Sequence, residues 1–189
     1  PWTVGEGSGL AGPIAGPRHR TAPSGVERVP SRGRHGGLED AIELTRQFGT
    51  ERVFVGMDNR LTSPPLQSAL IDGLLSTGMN VTEIGPVITP TVYFASASYK
   101  GKAAGVQITG SHLTTQYNGI KMVRKEAFPL SGDAGIGDIR DMIAADAFPP
   151  PSGPQGGLDS REILDAYVEK IMSFIDPAII KPFTVVLDA

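Results

Sequence analysis

Arg52-Val53-Phe54-Val55-Gly56 is a run of β-branched and aromatic residues closed by a glycine. Its reading decides the fold. A short, continuous apolar run of this kind predicts a strand covered on both faces, as in a parallel sheet. Downstream, Ser63 stands where an N-cap is expected, and Pro64 follows at the first helical position, where its missing N–H costs nothing. Leu66, Leu70 and Leu74 recur at helical spacing, and Gly78 is placed to end that helix. Met79 to Ile84 predicts a second strand, Thr89-Pro90 opens a helix through about Ser98, and Ala103 to Ile108 predicts a third strand. This strand–helix–strand–helix–strand order, with short connections, predicts right-handed crossovers and parallel pairing. Asn118 to Val123 predicts a fourth strand. The loop before it is too short for a crossover helix, so it should run antiparallel to its neighbour. The expected fold class is therefore α/β: a mixed, mostly parallel four-stranded sheet with helices on both faces, preceded by an irregular N-terminal segment.

The flanks extend this plan. Leu38, Ile42, Leu44 and Phe48 predict a short helix ending at Gly49, and Ile136 to Ala145 predicts another. Phe148-Pro149-Pro150-Pro151-Ser152-Gly153-Pro154 reads as a stiff linker. Asp159 with Glu162 fits an aspartate version of the capping box, and Leu164, Val168, Ile171 and Ile175 give the helix after it one apolar face. Asp176-Pro177 stops that helix, and Phe183-Thr184-Val185-Val186-Leu187-Asp188 predicts a strand that would open a further domain. In residues 1–37, Pro1, Pro13, Pro17, Pro23 and Pro30 recur among glycines and arginines with no helical or strand period. Such a segment cannot bury enough apolar surface to offset its ordering entropy, and disorder is expected there. Gly7-Ser8-Gly9-Leu10-Ala11-Gly12 matches a dinucleotide fingerprint, but no strand precedes it and no amphipathic helix follows. The expected organisation is thus an irregular segment over 1–37, one α/β domain with its linker helix over 38–182, and the first strand of a second domain over 183–189.

Composition narrows the function classes. The chain has 189 residues, 40% hydrophobic and 20% charged, within the range of an ordinary globular domain. A net charge of -3 creates no global field for nucleic acid or an anionic membrane. With no cysteine, disulfides and thiol chemistry are excluded. No apolar run approaches the ~18 residues of a membrane span. Neither a nucleic acid nor a membrane partner is expected, and a cytoplasmic location is.

The residues with chemical potential are Thr109-Gly110-Ser111-His112-Leu113-Thr114, followed by Tyr117-Asn118-Gly119-Ile120-Lys121. A Gly-Ser-His loop after a buried strand presents a hydroxyl at the carboxyl end of a parallel sheet, where ligands of open α/β sheets bind. Adjacent Ser and His do not make a nucleophile–base pair unaided, because neighbouring side chains usually diverge and no third residue is identifiable as an orienter. A turn or cap hydroxyl bonded to nearby backbone is the bland alternative.

The two segments together resemble the phosphoserine loop of the α-D-phosphohexomutases, Thr-[Ala/Gly]-Ser-His-Asn-Pro, and the Tyr/Asp-Asn-Gly-[Ile/Phe]-Lys segment that follows it. Three more stretches are similar to that family. Gly56-Met57-Asp58-Asn59-Arg60-Leu61-Thr62-Ser63-Pro64 resembles its Gly-Arg-Asp-x-Arg-x-Ser-Ser-Pro. Gly85-Pro86-Val87-Ile88-Thr89-Pro90-Thr91-Val92-Tyr93-Phe94 resembles its Gly-x-x-x-Thr-Pro-x-x-Tyr-Phe. Lys181 to Ala189 resembles the opening of its second domain. The resemblance implies a phosphomannomutase/phosphoglucomutase-like enzyme that interconverts hexose 1- and 6-phosphates through a bisphosphate. Gly110 and Tyr117-Asn118-Gly119 resemble that branch more than the phosphoglucosamine mutases. It implies Ser111 as the phosphoserine, His112 and Lys121 as its active-site neighbours, and Arg60 and Asn118 as phosphate- or substrate-binding groups. It also implies sugar phosphates as partners, hexose 1,6-bisphosphate as activator, and Mg²⁺ bound in part through the Ser111 phosphate. Phosphoryl transfer depends on positioning and charge neutralisation, which suits a lysine and a histidine beside a phosphoserine. The competing readings are a solvent-facing strand lysine, a loop-ordering histidine and a surface Asp58–Arg60 pair.

The departures from the family pattern matter. Leu113-Thr114 stands where Asn-Pro is usual, and Met57 replaces a common arginine. The early Tyr-Asp-x-Arg-Gly strand, the Asp-x-Asp-x-Asp-Arg metal loop, and the sugar- and phosphate-binding loops of the later domains are not recognisable. These point to a gene fragment or an altered upstream reading frame, weak Mg²⁺ binding and no turnover by this chain alone. A non-catalytic α/β domain that binds phosphosugars or a protein partner is the alternative.

Overall fold

The computed structural model describes residues 49–130, 135–145 and 153–187. The irregular segment expected over 1–37, the helix over 38–48 and most of the proline linker lie outside the described residues. Strand β1 (Arg52–Met57) is followed by helix α1 (Ser63–Ser76), β2 (Asn80–Pro86), α2 (Thr89–Ser98) and β3 (Ala103–Ile108). After a loop come β4 (Ile120–Arg124), a two-residue β5 (Phe128–Pro129), α3 (Ile136–Ala145), β6 (Leu158–Ser160) and α4 (Leu164–Met172).

The sheet runs β5-β4-β3-β1-β2-β6. β1 pairs in parallel with β2 and β3, and β2 with β6. β4 is antiparallel to β3 and to β5, as the short connection requires. The sheet is mixed and mostly parallel, with six strands where the sequence predicts four. The two additions are edge strands of two and three residues, too short to show a period of two.

Alternation along β1 divides the core. Val53 and Val55 join Leu66, Leu70 and Leu74 of α1 and Ile136 and Ile139 of α3 on one face. Phe54 joins Val92 and Ala95 of α2, with Ile84 and Ala103, on the other. Helices therefore cover both faces, and the continuous apolar run of β1 follows from that double burial.

Several local expectations are corrected. Thr62, not Ser63, occupies the N-cap of α1 and makes no side-chain cap bond; the Ser63 hydroxyl turns to Asp58 instead. Asp159 does not begin a capping box: it sits in β6 and receives Arg52 Nη1 at 2.9 Å. Glu162 bonds the Leu164 N–H at 2.7 Å, next to Ile163 at the N-cap of α4. The apolar stripe of α4 exists over Leu164, Val168 and Ile171, but the helix ends at Met172, short of the expected stop at Asp176-Pro177, so Ile175 lies beyond it, and all four side chains are exposed. The helix leans on α2 mainly through the edge contact of Tyr167 with Phe94, ring centroids 5.8 Å apart. Residues 183–187 form no strand, because none of the described residues pairs with them, and Phe183, Val185, Val186 and Leu187 are exposed. Among the described residues no helix is long and apolar enough to cross a membrane.

Candidate functional site

Two parallel neighbours, β1 and β3, end side by side, and their carboxyl ends deliver Asp58 and Gly110. The Asp58 N–H donates to the Ile108 carbonyl at 2.8 Å, which carries the pairing one step past β1. From there the chain forms a loop over 109–119. The Thr109 N–H donates to the Gly119 carbonyl at 2.9 Å and closes the loop at its base. Two turns shape its rim, Leu113 N–H to Gly110 carbonyl at 2.9 Å and Tyr117 N–H to Thr114 carbonyl at 3.0 Å. Ser111 sits in this loop with φ 50°, in the left-handed region that a non-glycine residue adopts only at a cost of ~1–2 kcal/mol.

Arg60 fills the space behind the loop. Its Nε donates to Asp58 Oδ2 at 3.0 Å. Nη1 donates to the carbonyls of Thr114 at 2.8 Å and Tyr117 at 3.1 Å. Nη2 donates to the carbonyls of Ser111 at 3.0 Å and Leu113 at 2.7 Å. The guanidinium lies so close to Gly110 that a Cβ there would sit 2.4 Å from Cζ. The family resemblance allows alanine or glycine here, and with the guanidinium in this place a side chain at 110 would displace it.

Asp58 collects the other ends of these contacts. Oδ1 accepts from the Arg60 N–H at 3.1 Å and from the Ser63 hydroxyl, while Oδ2 accepts from the Gly110 N–H at 3.1 Å as well as from Arg60 Nε. Burial pushes the Asp58 carboxyl up, but the bonds from Ser63, Arg60, Gly110 and Thr109 outweigh it and hold the group below its ordinary 3.8. Asn118 closes the network from the far end of the loop. It is 4% exposed. Nδ2 donates to Thr62 Oγ1 at 3.1 Å and Ser63 Oγ at 2.8 Å, and Oδ1 accepts from the Gly119 N–H at 2.9 Å.

The outward side of the loop is different in kind. Ser111 and His112 are both exposed, and Ser111 Oγ lies 3.4 Å from His112 Nδ1. The two side chains thus converge where adjacent residues ordinarily diverge, and the left-handed turn at Ser111 is the reason. Lys121 is half-buried on β4, opposite Gln107 of β3 in the antiparallel ladder. It therefore shares a sheet face with Gln107 and α2. Beside the loop lies an open groove of about 690 Å³, lined by Met57, Asp58, Val87, Pro90, Gln107 and Thr109 among others.

Of the five residues the sequence singles out, Ser111 and His112 come together at the surface. Arg60 and Asn118 lie beneath them with internal partners, and Lys121 makes no hydrogen bond or ion pair among the described residues. Asp58 and Ser63, which join these groups, were legible only as parts of a motif. Gln107 carried no signal: it is buried in β3, Nε2 bonded to the Val87 carbonyl at 2.9 Å and Oε1 without a partner.

A hard cation such as Mg²⁺ wants several oxygens in near-octahedral array. Among the described residues no three Asp, Glu, His or Cys side chains gather to hold one. The Asp58 carboxylate, beside the loop, already accepts two hydrogen bonds at each of its oxygens. These residues do not fit a metal cage, and a phosphorylated Ser111 would add only the oxygens of its own phosphate.

Residues 40–149 match the family described as "Phosphoglucomutase/phosphomannomutase, alpha/beta/alpha domain I". A protein of Xanthomonas campestris pv. campestris named "Phosphohexose mutases" is 40% identical over 148 residues, 78% of this chain and 33% of its own length. A "Phosphomannomutase" of Vibrio cholerae is 39% identical over 160 residues, 80% of this chain and 34% of its own. A solved structure of a phosphoglucomutase/phosphomannomutase family protein from Burkholderia thailandensis superposes with a TM-score of 0.65 at 31% identity, over 76% of this chain and 32% of that one. The chain thus spans about a third of the length of the curated relatives it matches.

Proposed function

The chain belongs to the phosphoglucomutase/phosphomannomutase family, matching its α/β/α domain I, and we propose that it supplies the phosphoryl-carrying serine of a phosphohexose mutase. The observation that carries this reading is the Ser111 hydroxyl, exposed on a left-handed turn and 3.4 Å from His112 Nδ1. In the proposed half-reaction the bond between phosphorus and Ser111 Oγ breaks as a hexose phosphate hydroxyl forms its own bond to phosphorus. Ser111 Oγ leaves as the alcohol and takes a proton, for which the His112 ring is the nearest source; the sugar hydroxyl releases its proton to solvent. The resulting bisphosphate returns its other phosphoryl group to Ser111 by the reverse step.

Lys121 is assigned the role of an ammonium that offsets phosphate charge, supported by its place two residues into β4 at the carboxyl end of β3 and by its having no hydrogen-bond or ion-pair partner among the described residues. Sugar phosphates are the partners on this reading, and a cytoplasmic location goes with it. Domain boundaries near residues 38 and 182 belong to it as well. So does the expectation that this chain, which spans about a third of the length of its relatives, does not turn over sugar phosphates by itself.

The test is intact-mass analysis after incubation with glucose 1,6-bisphosphate. One phosphoryl group acquired by the wild type and none by Ser111→Ala is the expected result. Uptake that survives Ser111→Ala would place the acceptor elsewhere, and no uptake by the wild type, even with the missing domains of a relative supplied, would remove the reading.

A further inference from the structure

We propose that Arg60 is a positioning residue that holds the Ser111 loop in its left-handed form, and that it does not bind phosphate. This rests on the reading of Ser111 as the phosphoryl acceptor.

A guanidinium has five N–H groups and no acceptor. All five of Arg60 are engaged within the protein: one with Asp58 and four with the carbonyls of Ser111, Leu113, Thr114 and Tyr117. Its side chain is 15% exposed, so little of it meets solvent. None of its donors is left for a phosphate oxygen. Its charge is largely answered by the Asp58 carboxylate at 3.0 Å. A phosphate ligand would have the opposite arrangement, with free donors facing the groove.

The four carbonyls explain the choice of arginine. They come from one short loop and converge on one point, where the guanidinium sits. A planar, rigid fork meets four of them at once; a lysine ammonium, with three donors on one atom, cannot span them. The same contacts fix the carbonyl of Ser111 itself. A residue at φ 50° persists only where its surroundings over-determine it. Releasing the Ser111 carbonyl removes that constraint and lets the residue relax to negative φ, which swings Oγ away from its place beside His112.

The test measures two things on the full chain, at a temperature where circular dichroism shows each variant folded. The first is the phosphoryl uptake from glucose 1,6-bisphosphate, resolved into a rate constant at saturating donor and a half-saturating concentration. The second is amide hydrogen exchange at residues 110–117. Arg60→Lys and Arg60→Met should both slow the saturated rate about 10²-fold, the scale of a reacting group displaced by ~1 Å. Half-saturation should stay within about threefold of wild type, and exchange in the loop should accelerate while β1 and β3 stay protected. Asp58→Asn, which loosens the guanidinium without removing it, should fall between and covers the case in which an Arg60 variant fails to fold. A raised half-saturating concentration with an unchanged rate constant, or rescue by lysine, would overturn the proposal and make Arg60 a phosphate ligand. Unchanged loop exchange would overturn it too. Should the wild type take up no phosphoryl group even with the missing domains of a relative supplied, the functional reading falls by itself, and the exchange data still decide whether Arg60 orders the loop.

Discussion

The Asp58 carboxylate accepts a hydrogen bond from the Gly110 backbone N–H at 3.1 Å, tying the end of β1 to the first turn of a loop 52 residues later. This carboxylate is ionised more readily than an ordinary one because four donors converge on it against the upward push of burial. The sign of its linkage to stability follows. A folded-state value below 3.8 means that the unfolded chain binds the proton more readily. The stabilisation is complete above the unfolded value and is lost as pH falls through the folded one. Asp58→Asn should therefore destabilise the protein by ~1–3 kcal/mol at pH 7. The gap between the two proteins should narrow steadily below about pH 4. Urea denaturation at pH 7 and at pH 3 measures this, and a gap that does not change with pH would contradict it.

Ser111 should show stability and activity pulling apart. Ser111→Ala keeps the left-handed strain and should leave stability within ~0.5 kcal/mol of wild type while abolishing phosphoryl uptake. Ser111→Gly removes the strain and should stabilise the fold by ~0.5–1 kcal/mol, again without uptake. Thermal denaturation of the two variants side by side gives the comparison, and equal melting temperatures would mean that the turn is unstrained.

His112→Gln should slow phosphoryl uptake by ~10²-fold or more and flatten the pH–rate profile, since glutamine can donate a hydrogen bond but cannot deliver a proton. A profile with the same shape as wild type would assign the proton transfer to another group.

Asn118→Ala should cost ~1–3 kcal/mol, because it strips partners from the buried Ser63 and from the Thr62 hydroxyl. Equilibrium unfolding in urea reads it directly. A loss below ~0.5 kcal/mol would mean that water replaces the amide.

The parts of the fold legible in the sequence were those whose burial is written in consecutive residues. β1 and β3 are covered on both faces, and Ala103 to Ile108 is buried throughout, so β1 shows as a continuous apolar run over Val53 to Val55 and β3 as one broken only by Gln107. α1 was legible from its start and spacing, and α2 from its start. β6 was not: three residues carry no period, and Asp159, read as a helix cap, is there to meet Arg52 across the sheet. Phe183 to Leu187 has the composition of a strand, but a strand exists only with a partner. The site divides in the same way. Ser111 and His112 announce themselves by motif, whereas the partners of Arg60 lie 51 to 57 residues away in the chain, and no local pattern encodes contacts with backbone carbonyls.

Those carbonyls also bear on how this loop can diverge. Every residue type has one, so the fork of Arg60 is indifferent to which side chains stand at 113 and 114. Leu113-Thr114, standing where Asn-Pro is usual, still offers both of its carbonyls to the fork. An inserted or deleted residue is another matter. Thr109 and Gly119 are bonded to each other at 2.9 Å, and β4 is held in register against β3, so a change in length has nowhere to go but into the arc that Arg60 spans. It would present the fork with different carbonyls, or with N–H groups that repel it. The loop tolerates respelling and resists recounting.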